Sequence, residues 1–337
     1  MSGQLAGASA QGTLLPVTSD DVREAAHKIG PYVRTTPAFA AEIGGRPVTL
    51  KLENLQVTGS FKFRGALNGV IACGTGEHVV AASGGNHGLG VATAAKIMGL
   101  SATVYLPRTT PEAKARRIAA QGARVVRHGE AYADAETAAR AWAEQSGGSY
   151  LHAYDDPAVI AGQGTIGLEI ARDAPWCDSV AVSVGGGGLA AGLSVCLRPD
   201  RPVVAVEPEH CNSLHAAFSA GGPVDAQVDS AAASALGASR IGRNTFALLS
   251  SGEVQLALVT EKEIAHARDK LWEELRLAVE PAAAVPFAAW LDGRVPGRHP
   301  CLVLCGANTD WHPVVEIPGH CEAFAARAEG TRANLSR

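Results

Sequence analysis

The chain has 337 residues and a net charge of −4, with 29 basic and 33 acidic residues interspersed along it. This length exceeds that of most single domains, so we expect two lobes with a cleft between them. The mixed charges argue against a nucleic-acid-binding surface and against a polybasic segment that binds anionic membranes, so the expected partner is a small molecule.

The N-terminal 17 residues carry no charge and lack the apolar block of a secretory signal, so a frayed N-terminus is expected. The longest uncharged stretch, residues 179–197, contains five glycines and predicts a strand, a turn and a helix rather than a membrane span. The seven cysteines form an odd set without a CxxC pair, which argues against a disulfide framework and a zinc site. We therefore expect a cytoplasmic protein. The cysteines are Cys73, Cys177, Cys196, Cys211, Cys301, Cys305 and Cys321.

Short β-branched runs alternate with helical patterns along most of the chain. The runs begin at Val48, His78, Ala102, Arg124, Val180, Val203 and Cys301. Apolar residues recur every three or four positions in residues 112–121, 133–145, 157–171 and 261–275, which predicts helices there. This alternation predicts an α/β fold with parallel sheets flanked by helices. Residues 221–234 are predicted to form a long surface connection. Ligands of such folds bind beyond the carboxyl ends of the strands.

The first loop that follows a predicted strand, residues 59–65, reads Gly-Ser-Phe-Lys-Phe-Arg-Gly. It enters a helix that Ser60 is expected to cap. Because Phe61 and Phe63 flank Lys62, this lysine is expected to be partly desolvated, which lowers its pKa and leaves more neutral amine to attack a carbonyl. Taken alone, the segment also fits a surface lysine at the start of a helix.

The second loop lies between the strand that ends at Ala82 and a helix predicted to run to Met98. It consists of Ser83, Gly84, Gly85, Asn86 and His87. Its glycines allow close backbone approach and expose N–H groups at the positive end of a helix, an arrangement that suits a carboxylate. The side chains of Ser83 and Asn86 can hold or protonate a bound molecule. An ordinary strand-to-helix turn is the alternative.

The third loop consists of Gly185, Gly186, Gly187, Gly188 and Leu189, again between a strand and a helix. Successive glycines present a concave row of amides that can hold a phosphate without a lysine. A flexible linker is the alternative. A desolvated lysine, a carboxylate site and a phosphate site are together the three needs of a pyridoxal-phosphate enzyme that acts on an amino acid.

The chain resembles the fold-type II pyridoxal-phosphate enzymes, in particular the serine/threonine dehydratase and serine racemase group, from about residue 20 to residue 310. The motifs that carry the resemblance are SFKFRGA at residues 60–66, SGGNHG at 83–88, PAVIAGQGT at 157–165, GGGGL at 185–189, VEP at 206–208 and 279–281, and CGAN at 305–308. The resemblance implies a tryptophan synthase β-like, two-domain homodimer. Residues 1–72 and 157–325 would form the large cofactor domain, residues 73–156 a small mobile domain and residues 326–337 a tail.

The resemblance also implies how pyridoxal 5'-phosphate is bound. Lys62 would carry it as a Schiff base, Phe61 would pack on its ring, Asn86 would bind its ring hydroxyl, and residues 185–189 would hold its phosphate. Cys305 would lie beside the pyridine nitrogen. A neutral thiol there leaves that nitrogen largely unprotonated, which favours elimination over reactions that need a long-lived carbanion.

The activity that the resemblance implies is dehydration of L-threonine, L-serine or a related β-hydroxy amino acid, such as 3-hydroxyaspartate, to a 2-oxo acid and ammonia. Lys62 and Ser83 would be catalytic, and the loop from Ser83 to His87 would bind the substrate carboxylate. The alternatives are β-replacement and racemisation on the same fold. Racemases of the group carry a second serine where this chain has Gly84, so racemisation is disfavoured. A non-catalytic amino-acid sensor is disfavoured by the intact Lys62 and loops.

Two further positions leave alternatives open. The family often binds a cation near Glu207, but the second acid of that site is missing from this sequence, and no metal is predicted. Tyr154 and Asp155 follow His152 near where the family has substrate-facing residues. Tyr154 would either reshape the substrate pocket or join the two domains without touching substrate.

Overall fold

The computed structural model describes residues 16–74 and 77–309. The expectations for residues 1–15, for Cys321 and for the tail at residues 326–337 lie outside the described residues. The strands are β1 Ala38–Ile43, β2 Arg46–Lys51, β3 His78–Ala82, β4 Ser101–Leu106, β5 Arg124–Arg127, β6 Ser149–Tyr150, β7 Ser179–Ser183, β8 Val203–Pro208, β9 Val254–Val259 and β10 Pro300–Val303.

The helices come between these strands, as the alternating pattern predicts. They are α1 Ser19–Ile29, α2 Lys62–Cys73, α3 Asn86–Met98, α4 Glu112–Ala119, α5 Tyr132–Ser146, α6 Pro157–Asp173, α7 Gly188–Leu197, α8 Ser213–Ala220, α9 Ala233–Leu236, α10 Arg243–Ser250, α11 Glu261–Leu275 and α12 Pro281–Leu291. A short 3-10 helix, Glu53–Leu55, follows β2. All four helices predicted from periodicity are present, and α11 has the predicted bounds.

The strands form two sheets. One has six strands in the order β1-β2-β10-β7-β8-β9, and the other has four in the order β5-β4-β3-β6. Apart from the antiparallel pair β1 and β2, every neighbouring pair is parallel. The predicted α/β fold is therefore confirmed, and each of the seven β-branched runs is a strand. Strands β1, β6 and β9 were not predicted.

Each sheet has apolar clusters of its own, and a further cluster joins β3 to α1, α2 and α6. All residues of β7 and β8 are buried, as expected for central parallel strands covered on both faces. Helix α12 is apolar on every side and packs inside the largest core, which surrounds the six-stranded sheet. Two smaller cores flank the four-stranded sheet. The strands of that sheet lie between residues 78 and 150, and the domain boundaries at residues 72/73 and 156/157 stay a prediction.

The two segments with unusual composition have ordinary structures. Residues 179–197 form β7, the glycine loop and α7. Residues 221–232 contain neither helix nor strand, and the connection ends at α9. Within residues 16–74 and 77–309, none of the helices has both the length and the apolarity needed to cross a bilayer.

Candidate active site

Residues from all three loops singled out in the sequence line one cavity. The cavity holds about 430 Å³ of empty space. Its walls include Phe61, Lys62, Asn86, Tyr154, Ser183, Gly185, Gly186, Gly187, Gly188, Leu189, Glu280 and Cys305. A larger adjoining cavity of about 1660 Å³ shares Lys62 and Asn86 and adds Ser83, Gly84, Gly85 and His87. Every site residue predicted from the sequence thus lines one or both cavities.

Lys62 is the first residue of α2 and its amine lies inside the cavity. Its Nζ donates to the carbonyl oxygen of Ala153 at 2.8 Å and lies 5.3 Å from the centroid of the Phe61 ring. Burial lowers the pKa of Lys62 to about 8, and the nearby Cys305 and Glu280 oppose this shift. A substantial fraction of the amine is therefore neutral near pH 8 and can act as a nucleophile, and the alternative of a surface lysine is wrong.

The predicted capping of α2 by Ser60 is wrong. Phe61 occupies the N-cap position, and the buried hydroxyl of Ser60 has no hydrogen-bond partner within the described residues. Ser60 instead forms a β-bridge with Gly306, and the N–H of Phe61 donates to the carbonyl oxygen of Cys305 at 3.0 Å. The start of the lysine helix is therefore fastened to the chain that leaves β10.

The glycine loop is a turn packed closely against Tyr154. Gly187 has a φ of +90°, which L side chains rarely adopt. A Cβ on Gly186 would lie 2.2 Å from the Tyr154 ring, and one on Gly188 would lie 2.6 Å from the Tyr154 carbonyl oxygen. The first amides of α7 have no acceptor within the helix and lie at its positive end. The loop therefore fits an anion, and a flexible linker does not describe it.

The Ser83 loop joins β3 to α3, as predicted. The hydroxyl of Ser83 accepts a hydrogen bond from the N–H of Gly85 at 3.2 Å. His87 is buried, with its Nε2 3.2 Å from the Leu151 carbonyl oxygen, and burial together with the charge of Lys62 lowers its pKa to about 3. The neutral ring must donate through Nε2 to that oxygen, so His87 holds the loop against the neighbouring strand end.

Asn86 belongs to a polar network that the sequence did not reveal. Its Nδ2 donates to Glu280 Oε1 and its Oδ1 accepts from Asn308 Nδ2, both at 2.8 Å. Burial raises the pKa of Glu280 to about 7, with the hydrogen bond from Asn86 opposing the shift. These bonds fix the Asn86 amide and leave its second N–H for a ligand. The second VEP motif contains Glu280, but the motif alone gave no role for it.

Cys305 lies at the end of the cavity that faces β7. The hydroxyl of Ser183 donates to its sulfur at 3.5 Å. Burial, aided by the negative charge of Glu280, raises the pKa of the Cys305 thiol to about 12. The group is therefore a neutral thiol at physiological pH.

The neighbouring residues Tyr154 and Asp155 differ in what they contact. Tyr154 lines both cavities, and its hydroxyl donates to the Arg240 carbonyl oxygen at 3.2 Å. The Asp155 carboxylate accepts from the backbone N–H groups of Arg243 and Thr245, each at 3.0 Å. Tyr154 thus shapes the pocket, whereas Asp155 caps α10.

Glu207 caps a helix in a similar way. Its two carboxylate oxygens accept from the N–H groups of Leu214 and His215 at 2.8 and 2.9 Å, at the start of α8. In the described part of the chain, no cluster of three or more His, Cys, Asp and Glu side chains could hold a metal ion.

Comparisons with known proteins agree with this geometry. Residues 29–306 match the family model described as "Pyridoxal-phosphate dependent enzyme". The L-threonine ammonia-lyase of Thermotoga maritima is 38% identical over 312 residues, which cover 89% of this chain and 78% of the relative. A solved threonine deaminase structure is 36% identical with a TM-score of 0.82, covering 88% of this chain and all of that chain. A serine racemase structure from Dictyostelium discoideum is 30% identical with a TM-score of 0.81, covering 88% of this chain and 99% of that one.

Proposed function

The chain belongs to the pyridoxal-phosphate dependent enzyme family, and we propose that it dehydrates L-threonine, L-serine or a related β-hydroxy amino acid to a 2-oxo acid and ammonia. The observation that carries the proposal is the buried amine of Lys62, which lies in one cavity with the glycine loop and in an adjoining one with the Ser83 loop. The likeness to an L-threonine ammonia-lyase and to a threonine deaminase supports this reaction over others on the fold.

The residues around the first cavity fit pyridoxal phosphate. Lys62 would hold its aldehyde carbon, and the amides of residues 185–189 would hold its phosphate. The second N–H of Asn86 points to a hydrogen bond with the ring hydroxyl. Phe61 would pack against the ring, and the neutral thiol of Cys305 would face the ring nitrogen without protonating it.

The chain's own groups then have defined tasks. When bound, pyridoxal phosphate supplies the electron sink that stabilises negative charge at the substrate Cα. The amides and hydroxyl of the Ser83 loop would hold the substrate carboxylate and so orient the Cα–H bond. Lys62, with its lowered pKa, would accept the proton from Cα. The Ser83 hydroxyl would also hold or donate a proton at the reacting side chain.

Racemisation is disfavoured by the space around Gly84. A Cβ at this position would lie 2.5 Å from Oγ1 and 2.6 Å from Cγ2 of Thr110. The second serine that racemases of the group carry does not fit here unless Thr110 moves. The chain therefore lacks the serine that would serve racemases of the group as the second acid or base.

The test compares Lys62→Ala with Lys96→Ala, an exposed lysine on α3. Lys62→Ala should lose both the cofactor absorbance band and the release of 2-oxo acid and ammonia from L-threonine and L-serine. Lys96→Ala should retain both. Two results would contradict the proposed dehydration. One is turnover by Lys62→Ala. The other is a wild-type enzyme that forms another product in place of the 2-oxo acid when a thiol is added.

We further propose that the protein is a cytoplasmic homodimer. The apolar side chains Tyr32, Phe39 and Leu55 are 41%, 44% and 45% exposed, and a second copy that covered them would remove apolar area from water. The free cysteines of the described residues suit a reducing compartment. Light scattering of the purified protein would give its mass in solution, and a monomer would contradict the dimer.

We also propose that residues 73–156 move as a small domain that closes on the cofactor domain. Support comes from the division of the strands into two sheets and from a cavity lined by residues of both parts of the chain. Closure would exclude water and align the reacting bond. Small-angle scattering with and without an unreactive amino acid would detect the change in shape.

A further inference from the structure

One wall of the larger cavity carries a carboxylate that the proposed chemistry does not use. Tyr132 and Glu136 of α5 line this cavity together with Lys62 and the Ser83 loop. The two residues are four apart in the helix and so project from the same face. Glu136 is connected to Lys62 through His152 and Ala153. The His152 ring lies 3.5 Å from Glu136 Oε1, and the carbonyl oxygen of the next residue, Ala153, accepts a hydrogen bond from Lys62 Nζ at 2.8 Å.

The cation that balances Glu136 lies behind the carboxylate. Arg140 Nε and Nη2 donate to Oε1 of Glu136 at 3.0 and 2.7 Å. The guanidinium packs over the Tyr150 ring at 4.2 Å from its centroid, and Glu136 lines the cavity whereas Arg140 does not. A molecule in the cavity therefore meets the negative end of this pair first.

Other charged groups do not cancel this effect for the substrate side chain. Burial lowers the pKa of His152 to about 4, against the pull of Glu136, so its ring is neutral at pH 7. Arg240 in the cavity wall is paired with Asp225 at 2.8 Å. Lys114 lines the larger cavity and also a small neighbouring cavity beside Gly84. Because Gly84 belongs to the loop that would bind the α-carboxylate, the charge of Lys114 favours that group, which every amino acid carries.

We propose that Glu136 determines the charge selectivity of the site, so that the enzyme accepts β-hydroxy amino acids with uncharged side chains and rejects those with a side-chain carboxylate. The inference rests on the proposed function, because that function places the substrate side chain in this cavity. A second carboxylate within a few ångströms of Glu136 would be repelled, since a partly enclosed cavity screens charge less than bulk water does. Of the β-hydroxy amino acids named above, 3-hydroxyaspartate would therefore be a poor substrate.

The test uses L-asparagine and L-aspartate, which have nearly the same shape and differ in side-chain charge. Neither has a β-hydroxyl group, so binding to the holoenzyme is followed through the absorbance of the bound cofactor. Wild-type protein should bind L-asparagine at least about tenfold more tightly than L-aspartate. Glu136→Gln should tighten L-aspartate binding by about tenfold while changing L-asparagine binding less than about threefold. Glu144→Gln, an exposed residue on α5, is the control and should leave the ratio unchanged.

Two results would overturn the role of Glu136. One is equal affinity of wild-type protein for the two ligands, which needs no variant and so holds even if Glu136→Gln does not fold. The other is a Glu136→Gln variant that shifts both affinities by the same factor. Turnover of L-threonine by the same wild-type preparation tests the proposed function separately, because the binding ratio can be measured whether or not 2-oxo acid is released.

Discussion

Replacing Arg64, a residue of the Lys62 helix, by leucine removes one of the two cations of a buried charge cluster. Arg64 donates to both oxygens of Glu53 at 2.8 Å and to Glu169 at 2.7 Å. Lys51 donates to the other oxygen of Glu169 at 2.5 Å. The Arg64 and Glu53 side chains are 1% and 0% exposed. Two cations thus face two anions, and the variant leaves the Glu53 carboxylate without its main partner.

This imbalance determines how much the free energy of unfolding should fall. Removing one partner of a buried ion pair typically destabilises a protein by about 3–5 kcal/mol, because the remaining charge is neither solvated nor paired. Arg172→Leu is the matched control. Its side chain is 62% exposed and pairs with Asp173 at 2.6 Å, and such surface pairs contribute less than about 1 kcal/mol. The double variant Arg64→Leu/Glu53→Leu should recover about half of the loss, since it keeps the balanced pair of Lys51 and Glu169.

Urea unfolding with saturating pyridoxal phosphate measures these changes, since a fixed excess of ligand keeps its own stabilisation constant. The transition midpoint should fall strongly for Arg64→Leu, recover partly in the double variant and stay near the wild-type value for Arg172→Leu. Two results would refute the reasoning. One is an Arg64→Leu midpoint equal to that of Arg172→Leu, and the other is a double variant that is no more stable than Arg64→Leu.

Three further predictions concern the site itself. Gly84→Ser should lower kcat/KM for L-threonine at least about tenfold without producing D-allo-threonine, the product of inversion at Cα, because its side chain collides with Thr110; chiral product analysis checks this, and efficient D-allo-threonine formation would contradict it. Gly186→Ala should weaken pyridoxal-phosphate binding by about tenfold, because the new methyl meets the Tyr154 ring; equilibrium dialysis measures the Kd, and an unchanged value would contradict the packing. The rate at which the apoprotein forms its covalent bond with pyridoxal phosphate should rise with pH and level off above about pH 8, since the Lys62 amine is neutral above its lowered pKa. A rate that keeps rising to pH 10 would show an unshifted lysine.

The sequence predicted those parts of the fold that depend on local pattern. The β-branched runs from Val48 to Cys301 are strands because a buried parallel strand must be apolar on both faces. Strand β1 was missed although Gly44 and Gly45, with φ values of +59° and +73°, form the two-residue turn of a hairpin. The Gly-Gly pair between two short runs is the pattern that could have revealed it.

The sequence predicted the loops of the candidate site but not the contacts between residues that are far apart in the chain. The cavity-lining positions of Lys62, Ser83 and the glycine loop follow from motifs that are each local in sequence. Glu280 reaches Asn86 across 194 positions of the chain, and no periodicity reports such a contact. Glu136 lies in a helix predicted from its apolar periodicity, and that periodicity gives no role to a polar residue of the helix. Ser60 was wrongly read as a cap because capping was judged without the β-bridge to Gly306.

The most direct test of the whole account is to reduce the holoenzyme with borohydride, which fixes the bond between cofactor and protein, and to map the modified residue by mass spectrometry. The label should appear on Lys62 in the peptide that contains the sequence SFKFRGA. A label on another lysine, or a protein that remains colourless and unlabelled after incubation with pyridoxal phosphate, would contradict the central claim.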